Sequence, residues 1–232
     1  MQKNRQEKLE KNKDTYSCQH IITITYYTDP LCCWSWAMEP AWRQVQDEFG
    51  DSLHIRYKMG GLLPSWHNFT DRVNDITRPA QMGPEWMYAA KITGAEVNSS
   101  IWLKDPPASS FPACIAVKCV ELQDSRLSVL YLRQLREAVM LHGLNIARTS
   151  VLYQLAADLS LLHESFNLLT FRKDLLGEGG RIAFRQDWQE VQYKGINRLP
   201  TMVFGNSRHE MKVLRGYQTF DVLRNMISGL QE

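Results

Sequence analysis

Between residues 20 and 61 the chain changes hydrophobic period twice, and this switch constrains the fold more than any other feature. Residues 20–28 (HIITITYYT) are β-branched and aromatic, which predicts a strand. Asp29-Pro30 breaks it. From 34 to 49, Trp34, Ala37, Met38, Ala41, Trp42, Val45 and Phe49 recur at three- and four-residue steps, the period of a helix with one buried face. Pro40 lies inside that run and predicts a kink, because it has no amide for the helix to use. Gly50 ends the helix. Residues 53–59 (LHIRYKM) alternate as a second strand, closed by Gly60-Gly61. A strand-helix-strand unit implies neighbouring parallel strands joined by a right-handed crossover.

The strand signal then disappears for about 100 residues. Residues 64–83, with Pro64, Pro79 and Gly83, predict a loop. Residues 84–92 predict a short helix. Ser109-Ser110 and Pro112 open a helix reaching about Leu122, and Ser125 caps another that ends before Gly143. Two more are expected at 149–159 and 165–176. The end of the chain reads as a helix at 178–193, strands at 201–204 and 211–214, and a helix at 219–229. Neither strand-bearing half is large enough for a core of its own. Together they predict one four- or five-stranded sheet with helices on both faces. The expected division is a tail at 1–18, a discontinuous α/β domain at 19–63 and 178–232, and a helical insertion at 64–177.

The segment from Asp29 to Trp36 (DPLCCWSW) sits where the first strand hands over to the first helix. A cysteine at a helix start meets free amides and the positive end of the dipole, which favour its thiolate. That makes Cys32 the candidate nucleophile, with a thiol pKa expected below the free value. Residues 32–35 read Cys-Cys-Trp-Ser. A dithiol enzyme has its second cysteine where Ser35 stands. A hydroxyl can donate to a thiolate but cannot resolve a mixed disulfide. A vicinal pairing with Cys33 would close a strained ring, and both thiols being inert is the plain alternative. Far along the chain, Leu199-Pro200-Thr201 places a proline directly before a β-rich run. A cis bond there would turn the backbone of Leu199 toward Cys32; an ordinary trans proline at a strand start is the competing interpretation.

These residues together resemble a family. Asp29-Pro30-Leu31-Cys32 with Trp34, Gly60-Gly61-Leu62, residues 105–113 (DPPASSFPA) and Leu199-Pro200-Thr201 are similar to the DsbA-like proteins, in particular their FrnE-type cytoplasmic branch. The likeness extends over residues 20–230. It implies a thioredoxin-like fold with an inserted all-helical domain and thiol–disulfide chemistry. On this likeness Cys32 corresponds to the nucleophile, Pro200 to the cis-proline and Leu199 to the residue before it. Ser35 departs from the pattern at the resolving position. One similar branch consists of adaptors that deliver proteins to a protease. Another uses glutathione with a serine in the active-site turn.

The remaining features narrow the chemistry. With 27 basic and 25 acidic residues, the net charge of +2 gives no electrostatic case for nucleic acid or an anionic membrane. The first residues lack an apolar core of the kind a secretory signal carries, and five cysteines at irregular spacing suit a reducing compartment, so a cytoplasmic location is expected. Cys114 and Cys119 read as small buried hydrophobes, and Cys18 as free or a remote resolving thiol. The six histidines show no ligand spacing, so no metal and no bound cofactor is expected, with glutathione a possible co-substrate. Trp34 and Trp36, with Leu199, are candidates to bind substrate; Trp66 and Trp86 are weighed as further lining against core packing. The function expected is a thiol–disulfide oxidoreductase or isomerase working through Cys32 by mixed disulfides with protein or small-thiol substrates. The alternatives are a non-catalytic protein-binding adaptor of the same fold and a glutathione-dependent transferase or isomerase of small molecules.

Overall fold

The computed structural model describes residues 21–69 and 76–231. The expected tail, Cys18 and part of the 64–83 loop lie outside the described residues. The chain runs β1 (Ile22–Thr28), α1 (Cys33–Phe49), β2 (Leu53–Met59), then six helices: α2 (Met82–Thr93), the short α3 (Ile101–Lys104), α4 (Phe111–Glu121), α5 (Ser125–Met140), α6 (Thr149–Leu162) and α7 (Leu168–Leu176). It returns through α8 (Gly179–Tyr193) to β3 (Thr201–Gly205), β4 (Met211–Arg215) and α9 (Phe220–Gln231). The sheet has four strands in the order β2-β1-β3-β4. β1 and β2 pair parallel, Ile22 opposite Leu53; β3 joins the other side of β1 antiparallel, Thr201 opposite Tyr27.

Helix α1 runs as one element through Pro40, which is exposed. Two local details differ from the expectation. The cap of α5 is Asp124, whose carboxylate accepts from the Arg126 amide at 2.7 Å, so Ser125 is the first helical residue. Helix α3 carries too few residues to leave a periodic signal.

Strand alternation sends successive side chains to opposite faces. Tyr26 and Tyr57 face α1, where Trp42 Nε1 donates to Tyr57 Oη at 2.8 Å. Tyr27 and Lys58 face α8, bonding Glu190 and Asp187. One core therefore lies between the sheet and α1 with α9: Ile22, Ile24, Met38, Trp42, Val45, Met202, Phe204, Leu223 and Ile227. Full burial of an Ile or Phe side chain contributes ~1.5–3 kcal/mol. The larger core fills the helical block and is continuous with Leu31, Cys33, Met59 and Leu63. The α/β layer and the helices thus share buried side chains directly beside Cys32. No helix among the described residues is long and apolar enough to cross a membrane.

Candidate functional site

Cys32 occupies the N-cap of α1 with extended backbone, and its Sγ accepts from the Ser35 amide at 3.4 Å. This is the helix-start position that the strand-to-helix handover predicts. The ionisation is not what the helix start alone predicts. Cys32 is only 3% exposed. Burial pushes its thiol up from the ordinary value; the Ser35 hydroxyl and amide and the Arg136 charge oppose this, while Asp29 adds to it. The expected lowering is thus reversed, because desolvation outweighs the free amides at the helix end. Cys33 points away into the larger core, where burial drives its thiol well up, and it is a free thiol like Cys32.

Three segments singled out in the sequence meet at one buried carboxylate. Asp29 accepts from the Leu31 amide at 2.9 Å, the Leu62 amide at 2.7 Å, Ser110 Oγ at 2.9 Å and Cys114 Sγ at 3.3 Å. It thereby ties the Cys32 turn, the Gly60-Gly61-Leu62 bend and the start of α4. Ser110 Oγ also accepts from the Leu63 amide at 3.1 Å. Gly61 has a φ of 64°, and a Cβ there would fall 2.9–3.1 Å from Phe111, Trp188 and Phe184, so a larger residue would strain the backbone and push those rings aside. Burial raises the Asp29 pKa, against the pull of its four donors. Cys114 is a buried small residue, as expected, and in addition donates to Asp29.

The Leu199–Pro200 peptide bond is cis. Since Thr201 pairs with Tyr27, the register carries Pro200 to the end of β1, next to the turn that leads into Cys32. Leu199 lies over Gly60, whose amide donates to Thr28 O at 2.7 Å. The half-buried Trp34 and Trp36 diverge. Trp34 donates to Glu85 at 2.8 Å and stands against the Tyr88 and Tyr217 rings, forming an aromatic wall between α2 and the loop before α9. Trp36 donates to Glu96 O at 2.9 Å and lines a cavity of about 250 Å³ with Glu39, Pro40, Arg43 and Arg133. Trp66 donates to Pro107 O, and Trp86 is wholly buried against Trp102, which makes it core rather than lining.

Two charged groups that the sequence did not single out lie behind Cys32. Arg136 of α5 is 1% exposed; its Nη1 donates to Glu39 Oε2 of α1 at 2.8 Å, and its Nη2 donates to Thr28 Oγ1. Burial works against the guanidinium charge, and Glu39 together with Tyr26, Cys32 and Tyr57 outweighs it, so Arg136 stays charged. Glu39 follows Ser35 by four residues, on the same helix face, and that spacing was the only trace in the sequence. Farther off, buried Asp187 joins Lys58, Lys118 and the Met59 amide, holding β2, α4 and α8 together.

A family model described as Thioredoxin (Thioredoxin_5) matches residues 26–225. The ClpXP adapter protein SpxH of Halalkalibacterium halodurans is 29% identical over 185 residues, 80% of this chain and 59% of that protein. The chain thus spans about three fifths of the length of this curated relative. Among solved structures, a putative protein disulfide isomerase from Nitrosomonas europaea superposes with a TM-score of 0.72 at 20% identity, covering 90% of this chain and 96% of the other. The cytosolic disulfide reductase DsbM from Pseudomonas aeruginosa, solved with GSH, gives 0.67 at 23% identity, with coverages of 90% and 100%. At such identities these two likenesses bear on the fold: a DsbA-like α/β architecture with an inserted helical region.

Proposed function

The chain belongs to the thioredoxin family, in its DsbA-like form, and from that premise we propose that it is a protein-binding adaptor in which Cys32 is kept but no longer turns over disulfides. The observation that carries this is the state of Cys32: buried, its thiol pushed up, with Ser35 where a resolving cysteine would stand. Such a sulfur is a poor nucleophile near neutral pH, and it has no neighbour at position 35 to release it. The adapter name of the SpxH relative supports the same choice.

The partner face is assigned to the aromatic wall of Trp34, Tyr88 and Tyr217, extended along α2 by the exposed Met87 and Ile92. Aromatic and methionine side chains are the usual anchors of such faces. Within the proposal the chain sits in the FrnE-type branch and in the cytoplasm, divided into an α/β part (19–63 and 178–232) and a helical part (64–177). Affinity capture from cells under reducing conditions tests it. Wild type and Cys32→Ser should retain the same partners, and Trp34→Ala with Tyr88→Ala should lose them. Loss of every partner in Cys32→Ser would overturn the adaptor.

A monothiol oxidoreductase or isomerase is the second possibility, favoured by the Ser35 amide on Cys32 Sγ and by Pro200 at the neighbouring strand end. Its mark would be partners attached to Cys32 by a disulfide and released by glutathione.

A further inference from the structure

Behind Cys32, three buried polar atoms have no hydrogen-bond partner among the described residues: Tyr26 Oη, Ser35 Oγ and Arg136 Nε. Leaving a buried polar group unpaired costs free energy, and native proteins do it rarely. These three share a property. Each carries a hydrogen to donate. Arg136 has no proton to lose at any working pH. The Tyr26 hydroxyl is held protonated, its pKa pushed up to about 12, chiefly by burial. The Ser35 hydroxyl is near both Cys32 and Tyr26 and favours the ionised form of each. The two hydroxyls can accept as well as donate, whereas the Arg136 Nε–H can only donate, and the sulfur of Cys32 becomes a strong acceptor only when it is charged.

We propose that Tyr26, Ser35 and Arg136 form a donor cradle for a thiolate at Cys32, with Arg136 a positioning residue supplied by the helical block. Burial above all keeps the resting sulfur neutral. Asp29 in the turn also opposes a negative charge, Glu39 on α1 offsets part of the Arg136 charge, and Tyr57 on β2 adds only a neutral hydroxyl. The guanidinium is fixed on Thr28 and Glu39, at the strand end before the Cys32 turn and on the Ser35 face of α1, with Nε left over. The cradle is therefore assembled before any charge arrives, and it exists only where β1, α1 and α5 are docked together.

The proposal rests on the site being at Cys32, and its test needs no partner protein, so it can fail while the adaptor stands. The rate of iodoacetamide addition to Cys32 in the full chain is followed from pH 7 to 11 by mass spectrometry, with fragment ions separating Cys32 from Cys33. In this step the sulfur gives its proton to solvent base, the S–C bond forms and iodide leaves. Tyr26→Phe removes one donor and little else. The pair Glu39→Gln with Arg136→Met removes the cation without stranding a charge. Both should move the apparent Cys32 pKa up and lower the rate below that pKa by about threefold to tenfold, a tenfold change being one pKa unit. Arg136→Lys should stay within about twofold of wild type. A profile that superimposes on wild type, or moves down, in variants with native circular dichroism would overturn the cradle. If the double variant fails to fold, Tyr26→Phe decides.

Discussion

Asp29 and the space behind Cys32 lie three residues apart in the chain, and their hydrogen bonding is opposite. Asp29 is one acceptor with four donors around it. The space behind Cys32 holds three groups able to donate that have no hydrogen-bond partner among the described residues. A satisfied buried polar group rigidifies its surroundings, and the Asp29 carboxylate accordingly holds three distant segments in one arrangement. An unsatisfied group gains when its missing partner appears. The comparison separates two uses of buried polarity at one site: one defines where the Cys32 turn sits, the other waits for a change of charge.

Several substitutions bear on that contrast. The largest effect is expected at Asp29. Asp29→Ala strands the Leu31 and Leu62 amides and the Ser110 hydroxyl in the interior, and should destabilise the protein by about 3–5 kcal/mol in urea denaturation. A loss below about 1 kcal/mol would mean that the hub is incidental. The cysteines provide a second comparison. Cys114 lies against Asp29, and burial with that neighbouring charge drives its thiol well above the usual range; burial raises Cys32 too, but with Ser35 and Arg136 opposing. As pH rises Cys32 should lose its proton first and be alkylated at least about tenfold faster than Cys114, read by quantitative peptide mass spectrometry. Labelling in the reverse order would remove the distinction between hub and cradle.

Smaller effects divide the hub into its parts. Ser110→Ala removes one donor to Asp29 and the acceptor of the Leu63 amide, and should cost about 1–2 kcal/mol by the same denaturation measurement. Tyr26→Phe should cost nothing, or stabilise by up to about 1 kcal/mol, because the hydroxyl it removes has no hydrogen-bond partner among the described residues. A clear loss of stability in Tyr26→Phe would show that this hydroxyl is already paired, and the contrast with Asp29 would vanish.

Much of the frame was legible. The change from period two to period three or four placed β1, α1 and β2 within two residues of their observed ends, since alternation and helical spacing are local records of which face is buried. Cys32 at the helix start and Pro200 before a strand were visible for the same reason. The motif segments at 29–32, 60–62 and 105–113 stand out in the sequence, but that a single carboxylate joins them does not, because hydrogen bonds across 33 and 81 residues leave no spacing to read.

The sequence by itself determined the order of elements, the capping of α1 by a thiol and the absence of a cysteine at position 35, all properties of neighbours along the chain. Only the tertiary structure decided how Cys32 behaves. The helix start favours a thiolate through amides within one turn, whereas the cost of burying that charge is set by every segment packed around it: Tyr26 from β1, the Asp29 turn, and Arg136 from a helix 104 residues away. Desolvation sums over the whole enclosure, and the enclosure exists only after the helical block has docked on the sheet.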